Sequence, residues 1–141
     1  MPEPRELGEA RRCLAQAEAL FRSDEGLAKL AEGLALLDDV LAAGTPAEAK
    51  TARNLASAYA ARIYGRIRDL VARDPQVPEP ELERFFKLVL AFDHVSSALP
   101  PEGKALKIGV VRQLIDRYYE GHPPERKRQA LAELEQLAGR E

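Results

Sequence analysis

The sequence predicts an all-α protein: a six-helix stack of two antiparallel helical hairpins flanked by end helices, in one domain spanning 1–141. Three observations carry that prediction. Apolar residues recur at spacings of three and four in one segment after another, the period of an amphipathic helix. Pro and Gly punctuate those segments at Gly44-Thr45-Pro46, Pro75 to Pro80, Pro100-Pro101 and Gly121 to Pro124. The chain also echoes itself at a spacing of 44 residues: Ala61, Gly65, Ile67, Arg68, Leu70, Val71 and Arg73 recur as Ala105, Gly109, Val111, Arg112, Leu114, Ile115 and Arg117. Pro80, Glu81 and Arg84 continue the echo as Pro124, Glu125 and Arg128. Self-similarity at such a period is the mark of stacked helical units, each repeating one way of packing on its neighbour.

The first helix covers about 4–22, with Leu7, Ala10, Leu14, Ala17 and Phe21 on one stripe. The second covers about 24–43, facing inward through Leu27, Leu30, Ala31, Leu34, Leu37 and Leu41. Gly44 is expected to end it in a left-handed conformation. Thr45-Pro46-Ala47-Glu48 reads as a capping box with proline at the first helical position. It opens a third helix over 46–74, with Ala52, Leu55, Ala56, Tyr59, Ile63, Ile67, Leu70 and Val71 facing in. The fourth helix covers about 80–99, and its segment FFKLVLAF is apolar nearly all round, which places it centrally. A buried strand competes for that run, but the acidic first turn (Glu79, Glu81, Glu83) suits a helix start and no partner strand exists. The fifth helix covers about 102–120, with Ile108, Val111, Leu114, Ile115 and Tyr118 inward. The sixth, about 124–138, has a narrower stripe of Ala130, Leu131, Leu134, Leu137 and Ala138.

A weaker echo at a spacing of 55 relates the second helix to the fourth: Asp38-Asp39-Val40 matches Asp93-His94-Val95, and Pro46 matches Pro101. The two spacings fit hairpins made of helices two and three and of helices four and five, with helices one and six covering the ends. Gly33 inside a leucine-rich helix and Pro75 ending its partner match small-residue and terminal-proline positions of tetratricopeptide repeats. Over about residues 24–121 the arrangement resembles that family at the level of architecture. It departs from it in the overlong third helix, in a spacing other than 34 residues and in having no Trp. The resemblance implies a right-handed superhelix, with an irregular bundle as the other arrangement. It also implies a protein-binding scaffold with a concave surface and no catalytic residues.

Composition narrows the function classes. With 45% apolar and 31% charged residues the chain is globular in character, and its net charge of −2 argues against a dedicated nucleic-acid binder. No run approaches the roughly 20 apolar residues of a membrane span. The charged start MPEPRELGEARR lacks a signal-peptide core, and Cys13 has no second cysteine to pair with. These features point to a cytoplasmic protein that does not engage membranes.

Charge alternates along the chain: residues 1–45 hold nine acids and five bases, and residues 46–75 hold three acids and six bases. The candidate partner-binding residues follow from this. Glu32, Asp38 and Asp39 make an acidic face, and Arg62, Arg66 and Arg73 a basic one. Asp69 lies between those arginines, and an intrahelical ion ladder through it is the reading the spacing favours. Tyr119 is the aromatic residue expected to face outward as an anchor, whereas Phe85 and Phe86 are both expected inside.

The chain offers little catalytic chemistry. His94 and His122 belong to neither a Glu-x-x-His nor a His-x-x-x-His pair, so no metal site and no cofactor is expected. His94 reads as a hydrogen-bonded edge histidine and His122 as part of a loop. Arg11 and Arg12 beside Cys13 would lower its thiol pKa, but no histidine is near to complete a nucleophilic pair. The basic run Arg126-Lys127-Arg128 sits in the first turn of the sixth helix, where it opposes the helix dipole, and that placement favours an acidic or phosphate-bearing partner. The leading expectation is a non-enzymatic adaptor holding a peptide or helix of another protein in a groove between helices two and four. Two alternatives accompany it: a nucleic-acid-associated regulator using the basic faces of helices three, five and six, and an enzyme or ligand pocket around Tyr59, Asp93 and His94. The Ala10 and Ala17 stripe would also permit a homodimer.

Overall fold

The computed structural model describes residues 5–92 and 101–139. It contains six helices and, among the described residues, no strand: α1 (Arg5–Ala19), α2 (Asp24–Ala43), α3 (Pro46–Arg73), α4 (Glu79–Ala91), α5 (Pro101–Tyr118) and α6 (Pro124–Gly139). The protein is all-α. Each helix packs on the next in sequence, and α1 on α3, α2 on α4 and α3 on α5; among the described residues no other pair of helices meets. Odd and even helices therefore form two layers. The helices related by the 44-residue echo, α3 and α5, are neighbours in one layer, and those related by the 55-residue echo, α2 and α4, in the other.

The broadest helix contact is between α1 and α2, so α1 is a hairpin partner of α2 and not merely a cover for its exposed side. Small residues explain this. Ala10 and Ala17 are fully buried on α1, and a methyl group on Gly33 of α2 would lie 3.1 Å from Cys13 Cβ. The turn between them is equally tight: a Cβ on Gly26 would come within 2.1 Å of the Leu20 carbonyl oxygen. Ser23 ties the turn together, its hydroxyl accepting from the Gly26 amide at 3.2 Å and donating to the Leu20 carbonyl at 2.9 Å. This capping ends α1 at Ala19, three residues short of the expected boundary, and moves Phe21 into the turn, where it stacks on Phe85 with ring centroids 5.8 Å apart.

The Thr45 capping box is present in full: the Glu48 amide donates to Thr45 Oγ1 at 3.2 Å, and the Thr45 amide donates to Glu48 Oε1 at 2.8 Å. Gly44 before it is extended (φ −82°, ψ 169°), not left-handed. Glycine is needed there for space, because a Cβ would meet the Val40 carbonyl at 2.5 Å. The helix that follows has 28 residues, about 42 Å at ~1.5 Å per residue, and this length lets it reach α1, α2, α4 and α5. Its buried face is Ala52, Ala56, Ala60, Ile63, Tyr64, Ile67, Leu70 and Val71. Tyr64 takes the central place expected of Tyr59, donating to the Val89 carbonyl at 3.3 Å and meeting Phe92 edge-on. Tyr59 stays half-buried beneath the Arg62 guanidinium.

Helix α4 ends at Ala91, and its expected continuation through 93–99, including Asp93 and His94, lies outside the described residues. Its apolar run is not buried on every side. Phe85, Leu88 and Val89 are buried, Phe86 is half-buried, and Leu90 is 51% exposed. The echo is kept in the core as well: Leu70 and Val71 of α3, like Leu114 and Ile115 of α5, are all buried. Arg117 anchors α5 to the end of α3 by donating to the Val71 carbonyl at 2.8 Å and the Asp74 carbonyl at 3.0 Å. These carbonyls belong to the last turn of a helix, which leaves acceptors unfilled and favours a cation.

Candidate binding pocket

The seven sequence candidates do not converge on one surface. Arg62 and Arg66 both turn toward α1, where Arg62 Nε lies 2.9 Å from Glu18 Oε1 and Arg66 Nε 2.7 Å from Glu18 Oε2. Glu18 is only 8% exposed, so two half-exposed arginines enclose one buried carboxylate. The expected intrahelical ladder through Asp69 is absent from this helix. Asp69 pairs with Arg68 at 3.2 Å, and Arg73 Nε donates to the Asp69 backbone carbonyl at 3.3 Å. The partner across the layer wins because a carboxylate shielded from water attracts a cation more strongly than an exposed one on the same helix. Glu32 pairs with Lys29 at 3.5 Å on its own helix.

Among the described residues, Asp39 and Tyr119 each line a concavity. One, of about 310 Å³, is lined by Glu6, Asp39, Val40, Ala43, Gly44 and Glu48, at the end of α2. Asp39 is exposed there, while Asp38 beside it is half-buried. The other is lined by Tyr118, Tyr119, His122, Arg126, Gln129 and Ala130, with a volume of about 380 Å³, where α5 turns into α6. Tyr119 is half-buried in its wall and not fully outward.

Local chemistry builds this second pocket. The last turn of α5 brings Tyr118 and Tyr119 together, edge to face at 5.0 Å. Gly121 then adopts φ +85°, a conformation open to glycine without strain. The chain folds back so that the His122 amide donates to the Tyr119 carbonyl at 3.0 Å. This lays the His122 ring parallel to Tyr118, 10° between planes and 5.8 Å between centroids, and edge-on to Tyr119 at 5.6 Å. Pro123-Pro124 launches α6 directly, and its first turn presents Arg126.

The wall is braced from α4. Tyr118 donates its hydroxyl to Glu83 Oε1 at 2.9 Å and meets Phe86 edge-on at 6.0 Å. That hydrogen bond to Glu83, with burial and the charges of Glu83 and Glu79 adding to it, pushes the Tyr118 phenol up to about 12. Glu79 Oε1 lies 3.8 Å from His122 Nε2. Among the described residues no carboxylate lines the pocket itself, and its polar groups are two phenols, an imidazole, an amide and the Arg126 guanidinium. Tyr118 packs against the core and His122 lies in the loop, both as expected, but their meeting in a pocket is new. The signal that could have joined them is their spacing of four across a glycine, with an aromatic pair just before it.

Elsewhere the structure reverses one expectation about reactivity. Burial pushes the Cys13 thiol upward, and the nearby Glu32 charge adds to it, outweighing Lys29 and Arg12. Among the described residues no group of three or more His, Cys, Asp or Glu side chains could hold a metal ion, and no helix is long and apolar enough to cross a membrane. Comparison with protein-family models, with curated proteins and with solved structures returns no match.

Proposed function

We propose that this chain is a non-catalytic, cytoplasmic protein-interaction module with a tetratricopeptide-like stack, binding a peptide or helix of a partner protein. The observation that carries the reading is the preformed aromatic pocket at the α5–α6 turn, which contains Tyr119 and Arg126, the latter making no ion pair among the described residues. Aromatic residues and arginine are the side chains that most often dominate protein interfaces, and here their rings are already packed and braced, which lowers the ordering cost of binding. The stacked arrangement of echoed helices supports the scaffold part of the reading. The favoured contact thus moves from the groove between α2 and α4 to the α5–α6 end.

The nucleic-acid alternative draws less support. Arg62 and Arg66 are committed to Glu18, Arg117 to the end of α3, and Lys127 to Asp116 at 3.0 Å. Each of these cations already has a carboxylate or carbonyl partner, which leaves less of its charge for a phosphate backbone. The test is affinity capture with the full chain beside a Tyr119→Ala, Arg126→Glu variant. A protein recovered by the parent and lost by the variant supports the module. Recovery of nucleic acid or metabolites alone refutes it.

A further inference from the structure

Among the described residues that line the α5–α6 pocket, Arg126 is the one arginine, lysine or carboxylate. Its side chain makes no ion pair among the described residues. Its neighbour Lys127 has a structural reason for its place, the Asp116 carboxylate at 3.0 Å; among the described residues no ion pair supplies one for Arg126. Each base in the first turn of a helix opposes the dipole and is slightly unfavourable there. The cost at Arg126 is therefore unexplained by stability, and it falls at the pocket.

Resting on the protein-binding reading, we infer that this pocket is a subsite for a carboxylate on an acidic segment of the partner, its apolar stem lying on the Tyr119 and His122 rings. Charge decides between ligand classes. Three aromatic rings could in principle enclose a cation, but among the described residues the wall carries the Arg126 guanidinium, while the Glu79 and Glu83 carboxylates contact His122 and Tyr118 without lining the pocket, which favours an anion. The amino end of α6 adds positive character to the same spot. A single planar guanidinium matches the two oxygens of a carboxylate. A phosphate, with up to two charges, calls for more cations than this wall provides. About 380 Å³ is at the lower end of ligand-site volumes, room for one or two side chains. The rings are held in place before binding, Tyr118 by Glu83 and His122 by its stack on Tyr118.

The experiment uses the full chain and rhodamine-labelled short peptides, capped at both ends, with uncharged random positions around a central Glu, Gln or phosphoserine. Fluorescence anisotropy at low and moderate salt reads binding. The Glu pool is expected to bind about tenfold or more tighter than the Gln pool, as charge-assisted hydrogen bonds of ~1.5–3 kcal/mol require. Arg126→Gln should remove that preference, and Tyr119→Ala should weaken both pools. Arg53→Gln, exposed on α3, should change neither. The His122 ring resonances should shift with the Glu pool.

Equal binding of Glu and Gln pools, or an Arg126→Gln variant that keeps the preference, overturns the carboxylate subsite while leaving peptide binding in place. Tighter binding of the phosphoserine pool also overturns it, in favour of a phosphate. If no pool binds but affinity capture still yields a Tyr119-dependent protein, the subsite falls and the module stands. If neither occurs, both fall.

Discussion

The Arg62–Glu18–Arg66 clamp gives a quantitative handle on what joins α1 to α3. Glu18 is 8% exposed and the two guanidiniums sit 2.9 and 2.7 Å from its separate oxygens. The arginine side chains are 61% and 53% exposed, so each pair is screened on one side, and removing either should cost about 1 kcal/mol. Removing both is a different event. It leaves a carboxylate buried with no cation, and stranding such a charge costs about 3–5 kcal/mol in a dry site; the half-open surroundings put the expectation near the low end, about 3. The double-mutant cycle of Arg62→Ala and Arg66→Ala should therefore be non-additive, with an excess of about 1 kcal/mol over the sum of the singles. Urea unfolding followed by far-ultraviolet circular dichroism gives all four free energies, and a Glu18→Gln background should abolish most of the excess. Additivity within about 0.3 kcal/mol, or a double variant less than ~1 kcal/mol below the parent, would refute the view of Glu18 as one buried charge shared by two cations.

Other consequences are as direct. Gly65 and Gly109, equivalent in the echo, sit inside helices with nothing within 4 Å of an added Cβ, so alanine at each should stabilise by about 0.5–1 kcal/mol, read as a higher urea midpoint. Gly26→Ala must push against the Leu20 backbone 2.1 Å away and should destabilise instead. Tyr118 holds its proton up to about 12, above its ordinary value of 10. Since the unfolded chain loses that proton first, this stabilising contribution is whole below pH ~10 and fades as pH rises toward ~12. Near-ultraviolet phenolate titration should show one late tyrosine, absent in Tyr118→Phe and shifted downward in Glu83→Gln. Cys13, 7% exposed and with its thiol pushed upward, should react with an aromatic disulfide reagent only as fast as the protein opens, so mild urea should accelerate labelling steeply.

How legible the fold was depends on the range of the interaction concerned. The Thr45–Glu48 capping box spans three residues and is present as read. The boundaries of α2 and the start of α3 match the sequence reading, because caps and prolines act within a turn. Errors arise where a residue had a choice of neighbours. Phe21 left the α1 stripe because Ser23 closed the turn early, and Tyr64, not Tyr59, took the core because α3 is covered on more than one side. The pocket was half legible: Tyr119 and the basic run were visible as candidates, but their meeting needs the left-handed Gly121, which brings His122 and Arg126 back over α5.

The sequence by itself determined six helices and where they start, and its echoes singled out two pairs of them. Those properties reside in spacings of three and four, in caps and in the echo, all carried by the chain locally or by its comparison with itself. Tertiary structure alone decided that α1 pairs with α2, that Glu18 takes two arginines 44 and 48 residues away, and that Arg117 closes the end of α3. Helix periodicity says which face is apolar. It does not rank the neighbours competing for a face or a charge, because that ranking depends on burial, and burial exists only once all the helices are in place.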